Sequence, residues 1–127
     1  MPRLLIRTNA DAPRGDLTAL ALDLSKKLSE LIEKPEQYIG IDIQTNQILA
    51  FGGDADTPCA FCSLTSIGNI DLEHNTKISA MVAHALTATF GVAATRYYLA
   101  FDDYERHNMG YNSHTFANQP AAKKQEE

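Results

Sequence analysis

The sequence predicts an α/β fold: a tandem β-α-β repeat that forms one four-stranded mixed sheet with two helices on one face. Three observations lead there. Segments of strand period and helix period alternate along the chain. The same order of segments occurs twice. Corresponding segments start 56 positions apart at Arg3 and Cys59, and 58 apart at Ile39 and Tyr97, the signature of an internal repeat.

The first unit opens at residues 3–8, where Leu4 and Ile6 alternate with Arg3 and Arg7 as in a strand. Asn9 to Gly15, with Pro13, is a loop. From Asp16, a suitable N-cap, Leu17, Leu20, Ala21, Leu24, Leu28 and Leu31 recur at helical spacing, with Asp23, Lys26, Lys27 and Glu30 on the other side. Pro35 disfavours helical geometry at Lys34, so the helix stops near Glu33. Ile39, Ile41 and Ile43 then alternate with Gly40, Asp42 and Gln44 as a second strand. A turn at 44–47, a short segment from Ile48 to Phe51 and a Gly52-Gly53-Asp54 loop complete this half.

The second unit repeats the order. Cys59 to Ile67 is a strand that starts after Pro58. Asp71 caps a helix through Ile78, Val82, Ala85, Leu86 and Phe90, and Gly91 ends it. Tyr97, Leu99 and Phe101 alternate with Tyr98, Ala100 and Asp102 as the last strand. Right-handed crossovers place both helices on one side of the sheet. The other face would carry Leu5, Phe61 or Leu64, and one side of the Tyr97–Phe101 strand, a surface apolar enough to imply a symmetric homo-oligomer. Composition alone does not choose dimer or trimer. Residues 1–117 form a single domain in this reading, and 118–127, with Pro120 and four charges, a loose tail.

Composition narrows the function classes. The 127 residues are 44% hydrophobic and 21% charged, as in a globular domain with a real core. A formal charge of -5 offers no basic face for nucleic acid or an anionic membrane. No apolar run approaches the roughly 18–20 residues of a membrane span, and Leu4-Leu5-Ile6 is too short for a signal-peptide core. Two cysteines fit a reducing compartment. The expectation is a cytoplasmic protein that would leave the cell only by a non-classical route.

Position two carries the most chemistry. Met1 before a small residue is commonly removed, which would free the secondary amine of Pro2. An α-amine titrates near 7.7–8.0, and apolar burial lowers that value towards the range of a good general base.

Several short segments then carry a resemblance: Met1-Pro2, Lys34-Pro35-x-x-Tyr38-Ile39, Phe51-Gly52-Gly53, Cys59-Ala60-Phe61-Cys62, Ser66-Ile67-Gly68, Arg96-Tyr97-Tyr98, Gly110-Tyr111-Asn112 and Thr115-Phe116. In order and spacing they resemble the macrophage migration inhibitory factor family of the tautomerase superfamily, over residues 1 to about 117. The resemblance implies a homotrimer whose sheets form a central barrel, and keto–enol tautomerisation of phenylpyruvate-like aromatic 2-keto acids without a cofactor. It implies Pro2 as catalytic base and Lys34 as the cation for the substrate carboxylate. Ile67 would supply a backbone N–H and a pocket wall, and Tyr98 would come from a neighbouring subunit. Met109, Tyr111 and Phe116 would form an apolar lid. It also brings a second role, a cytokine-like protein that binds a cell-surface receptor and keeps a vestigial site.

The sequence departs from the family pattern at three places. Ala100 stands where an asparagine often orients substrate, and Tyr111 where a tryptophan is common. Arg3 beside Pro2 is unusual; strand alternation turns it away from the site, whereas an inward Arg3 would depress the proline pKa further.

Other motifs organise less chemistry. Cys59-x-x-Cys62 suggests a thiol oxidoreductase, but residues three apart in a strand lie about 10 Å apart on opposite faces, beyond the about 7 Å a disulfide allows. Redox pairs of this spacing open helices instead. His74, His84, His107 and His114 match no metal-ligand spacing, so no metal is expected. Asp102, Asp103 and Glu105 read as a solvated acidic run.

Overall fold

A computed structural model describes residues 1–120. Along the chain run β1 (Arg3–Thr8), α1 (Arg14–Ile32), a 3-10 turn (Glu36–Tyr38), β2 (Gly40–Gln44), β3 (Ala60–Ser66), α2 (Leu72–Phe90) and β4 (Tyr97–Asp103). A second 3-10 turn (Arg106–Asn108) and a hairpin of β5 (Gly110–Tyr111) and β6 (His114–Thr115) complete the described chain. The four main strands form one mixed sheet in the order β2-β1-β3-β4. Each outer strand runs parallel to its inner neighbour, and β1 and β3 are antiparallel. This is the expected doubled β-α-β sheet. Most of the tail expected from residue 118, residues 121–127, lies outside the described residues.

Both helices cover one face because their apolar residues recur every fourth position. Leu20, Leu24, Leu28 and Ile32 of α1 and Ile78, Val82, Leu86 and Phe90 of α2 are all buried. They meet Leu4 and Ile6 of β1 and Ala60, Cys62 and Leu64 of β3, the inward residues of the two central strands. Each helix ends on a left-handed residue, Glu33 (φ 61°) and Gly91 (φ 70°), whose N–H returns to the last turn. Asp71 caps α2, its carboxylate accepting from the His74 amide at 2.8 Å.

One local expectation is corrected, and three points left open by the sequence are decided. Asp16 is not the cap of α1; the helix starts at Arg14 behind Pro13, and Asp16 sits in the first turn, where its charge still suits the helix dipole. The Ile48–Phe51 segment is no strand: Phe51 makes one bridge to Asp54, and Ile48 is 99% exposed. Leu64 faces the helices, since it pairs with Leu4, and so leaves Phe61 on the open face. By the same alternation Tyr97, Leu99 and Phe101 pack towards the core, while Tyr98, Ala100 and Asp102 face outward.

The open face is therefore more polar than its sequence suggests. Leu5, Phe61 and Tyr98 share it with Arg7, Ser63 and Thr65, and Arg3 points there too, 3.8 Å from Asp42. That exposed pair stabilises little. The apolar surface gathers at one end, where Phe51, Phe61 and Tyr98 lie ring against ring at 4.9–6.2 Å.

Candidate active site

Topology collects the site at one end of the sheet. β1 starts there, and β3 ends there because it runs antiparallel, with Arg3 opposite Thr65. The crossover to a parallel β2 returns the end of α1 to the same place. β4 also finishes there, with Asp103 beside Ser66. Pro2, Lys34, Ile67 and the chain after Asp103 are thus neighbours for topological reasons, although they are distant in sequence.

Pro2 is fully buried, and its carbonyl accepts from the Gly40 amide at 2.9 Å. Met1 precedes it and packs, with Met109, on a cluster of Tyr38, Ile67 and Phe116. The α-amine here is that of Met1; the Pro2 nitrogen is an amide. Burial first, and then the charges of Lys34 and Arg106, lower the Met1 amine from 8.0 to about 5. Roughly 1% of such an amine is charged at pH 7, against about 90% of an unperturbed one.

Lys34 is 7% exposed, and its Nζ donates to the Ile67 carbonyl at 2.7 Å. Burial lowers its pKa and Arg106 lowers it further, while Asp103 acts the other way. Gly68 has φ +80°, a backbone conformation that suits glycine. Its amide donates to Asp103 Oδ1 at 2.9 Å. Asp103, from the run read as merely solvated, therefore joins the Ile67-Gly68 turn to the lysine.

The closing hairpin forms the aromatic wall. Tyr111 stacks on Phe116 at 5.1 Å, and Tyr38 meets their rings edge-on at 5.5 and 6.1 Å. The Phe116 amide donates to the Met109 carbonyl at 3.0 Å and holds the hairpin to that turn. Tyr98 is not in this group. It is 67% exposed, in the row of Arg7 and Phe61, about 17 Å along the sheet from Pro2. Within one chain the structure brings together Pro2, Lys34, Ile67, Met109, Tyr111 and Phe116, and leaves Tyr98 at the other end.

Tyr38, Asp103 and Arg106 are site neighbours that sequence reasoning missed. Only Tyr38 carried a signal, through the turn that Pro35 starts. The two cysteines are free and buried, and burial pushes the Cys62 thiol up to about 12, which removes thiolate character. Among the described residues, no group of three or more His, Cys, Asp or Glu could hold a metal ion, and no helix is long and apolar enough to cross a membrane.

Comparison with known proteins decides the family. A family model described as macrophage migration inhibitory factor (MIF) matches residues 1–117. The chain belongs to the macrophage migration inhibitory factor family. Relatives of that name from Xenopus laevis and Rattus norvegicus are 39% and 34% identical, with 92% of this chain and all of each relative covered. A macrophage migration inhibitory factor homologue from Prochlorococcus marinus superposes with a TM-score of 0.85 at 30% identity, covering 90% of this chain and 98% of the other. The protein of that name from Toxoplasma gondii gives 0.84 at 29%, covering 90% and 99%. The doubled β-α-β sheet is thus the fold of the tautomerase superfamily.

Proposed function

We propose that this chain is a keto–enol tautomerase for phenylpyruvate-like aromatic 2-keto acids, with Pro2 as the base after Met1 is removed. One observation carries the reading: an α-amine lowered to about 5 in a buried setting beside Lys34. Freed of Met1, the proline nitrogen would take over those surroundings and be neutral at pH 7. It would then accept the proton on the carbon next to the keto group as the oxygen gains charge, and return that proton to oxygen. Lys34 would hold the carboxylate through a further N–H, since an ammonium has three. The Ile67 amide would stabilise the developing oxyanion, and Met109, Tyr111 and Phe116 would cover the aromatic ring. No cofactor is involved.

Tyr98 joins this reading through assembly. A homotrimer, consistent with the family's folds, would bring the Phe51–Phe61–Tyr98 end of one chain to the Pro2 end of the next. Residues 1–117 act as one domain, in the cytoplasm, with any export by a non-classical route. A second reading keeps the fold and drops the chemistry: a cytokine-like protein that binds a cell-surface receptor. Ala100 favours it, because a methyl group on the open strand β4 cannot orient a substrate by hydrogen bonding.

The test combines intact mass with phenylpyruvate turnover for wild type and Pro2→Gly. The tautomerase reading expects Met1 to be absent and the variant to lose at least about 100-fold in kcat/KM. Processed wild type without turnover would sink it in favour of the receptor-binding reading.

A further inference from the structure

His74 lies away from the site, yet its ring is held between two carboxylates on different elements. Nδ1 is 2.8 Å from Asp71 Oδ2 at the start of α2, and Nε2 is 3.0 Å from Glu33 Oε1 at the end of α1. A neutral imidazole has one N–H and one lone pair, so only the imidazolium satisfies both partners. The geometry accordingly assigns the charged form, and Glu33 and then Asp71 raise the His74 pKa above 6.5. Its other charged neighbours share one shallow cavity: Glu30 of α1, and Glu73 and Lys77 of α2. Lys77 lies 3.6 Å from Glu73, which leaves the surroundings acidic on balance.

The contact matters because Glu33 is the left-handed cap of α1 and Lys34 is the next residue in the chain. Three links tie residues 32–34 to residues 67–74. Lys34 Nζ donates to the Ile67 carbonyl, Asn69 Nδ2 donates to the Ile32 carbonyl at 2.8 Å, and His74 bridges to Glu33. Of the three, the last rests on an imidazole, the side chain whose ordinary pKa lies nearest neutral pH. On deprotonation one N–H remains. Asp71 keeps a tie to this residue through the amide it caps, whereas Glu33, with a side chain 71% exposed, has solvent to turn to.

We propose that protonated His74 is a positioning residue, clamping Glu33 to the start of α2 so that Lys34 stays set for an anionic ligand. As pH rises through the His74 ionisation the clamp opens and carboxylate affinity falls. The affinity half of this rests on the proposed role of Lys34; the clamp itself does not.

The experiment is a pH titration by NMR of the full chain without ligand, following the His74 ring nitrogens and the Lys34 and Gly68 amides. Wild type, His74→Gln and Glu33→Gln are compared. In wild type, His74 titrates above 6.5 and both amides follow its curve. Glu33→Gln moves the ring back down, and His74→Gln removes the inflection from both amides. Phenylpyruvate kinetics add a second readout: KM rises about threefold to fivefold across the same ionisation in wild type. In His74→Gln it stays at the high-pH value, with kcat within about twofold. Amides that ignore the His74 titration overturn the clamp, as does a ring that titrates at or below 6.5. Amides that follow it in a protein without turnover uphold the clamp and overturn the substrate role of Lys34.

Discussion

Lys34 and Arg96 are two shielded cations at opposite ends of one sheet, and their surroundings differ in kind. Arg96 donates to four backbone carbonyls of the loop before β3: Pro58 and Phe51 at 3.1 Å, Asp54 at 3.2 Å and Thr57 at 3.0 Å. Its guanidinium lies 5.5 Å from the Phe51 ring centroid and 3.8 Å from the Asp54 carboxylate. This is a cation spent on structure, holding a glycine-containing loop in one shape. Lys34 also donates to a carbonyl, but burial disfavours its charge and the nearby Arg106 adds to that, while Asp103 acts the other way. Arg96 is surrounded by acceptors, whereas Lys34 is buried near a second cation, Arg106.

The largest expected break of that contrast is Arg96→Met. Four carbonyls lose a charged donor, and the fold should lose about 3 kcal/mol, or roughly 10 °C in Tm, by thermal melting. An unchanged Tm would remove the structural half of the contrast. Lys34→Met is expected to behave in the opposite way. Relief of a disfavoured buried charge keeps or raises Tm, while KM for phenylpyruvate rises about 100-fold, some 2.7 kcal/mol of binding. A Tm loss like that of Arg96→Met would make Lys34 structural as well.

Two smaller changes sharpen the contrast. Asp103 raises the Lys34 pKa, so Asp103→Asn should lower it further while the Asn oxygen still accepts from Gly68. The alkaline limb of log(1/KM) against pH should then move to lower pH. At the other end, the Thr57 hydroxyl and then the Thr57 and Asp56 amides hold Asp54 at about 2, down from 3.8. A carboxyl so depressed contributes stability above pH 3.8 that is lost as pH falls towards 2. Asp54→Asn should flatten Tm against pH in that window alone.

Much of this molecule could be read from local pattern. Leu20, Leu24 and Leu28 announce one helix and Ile78, Val82 and Leu86 the other, because burial of a helix face is a one-dimensional signal. Gly91 and Pro35 punctuate the chain through backbone sterics that need no neighbours. The face of Leu64 was not readable, since it depends on pairing with Leu4 across an antiparallel ladder. Arg106, Asp103 and His74 were missed for the same reason: each acts through a partner that only the folded topology supplies. The motif residues of the site were legible as a set by resemblance. Their grouping at one end, with Tyr98 at the other, came from strand order.

The strand order has a further consequence. With β1 and β3 antiparallel at the centre, a half-turn about an axis between them exchanges the two halves of the chain, whose elements start 57, 58 and 57 residues apart. Under that pseudo-twofold, Pro2 before β1 matches Cys59 before β3, and the Glu33 cap matches Gly91. Lys34 after its cap matches Val92, which is 1% exposed. The backbone therefore offers two topologically equivalent seats, one with an imino acid and an ammonium, the other with a thiol and an isopropyl group. In this architecture, the chemical difference between the two ends is written in side chains alone.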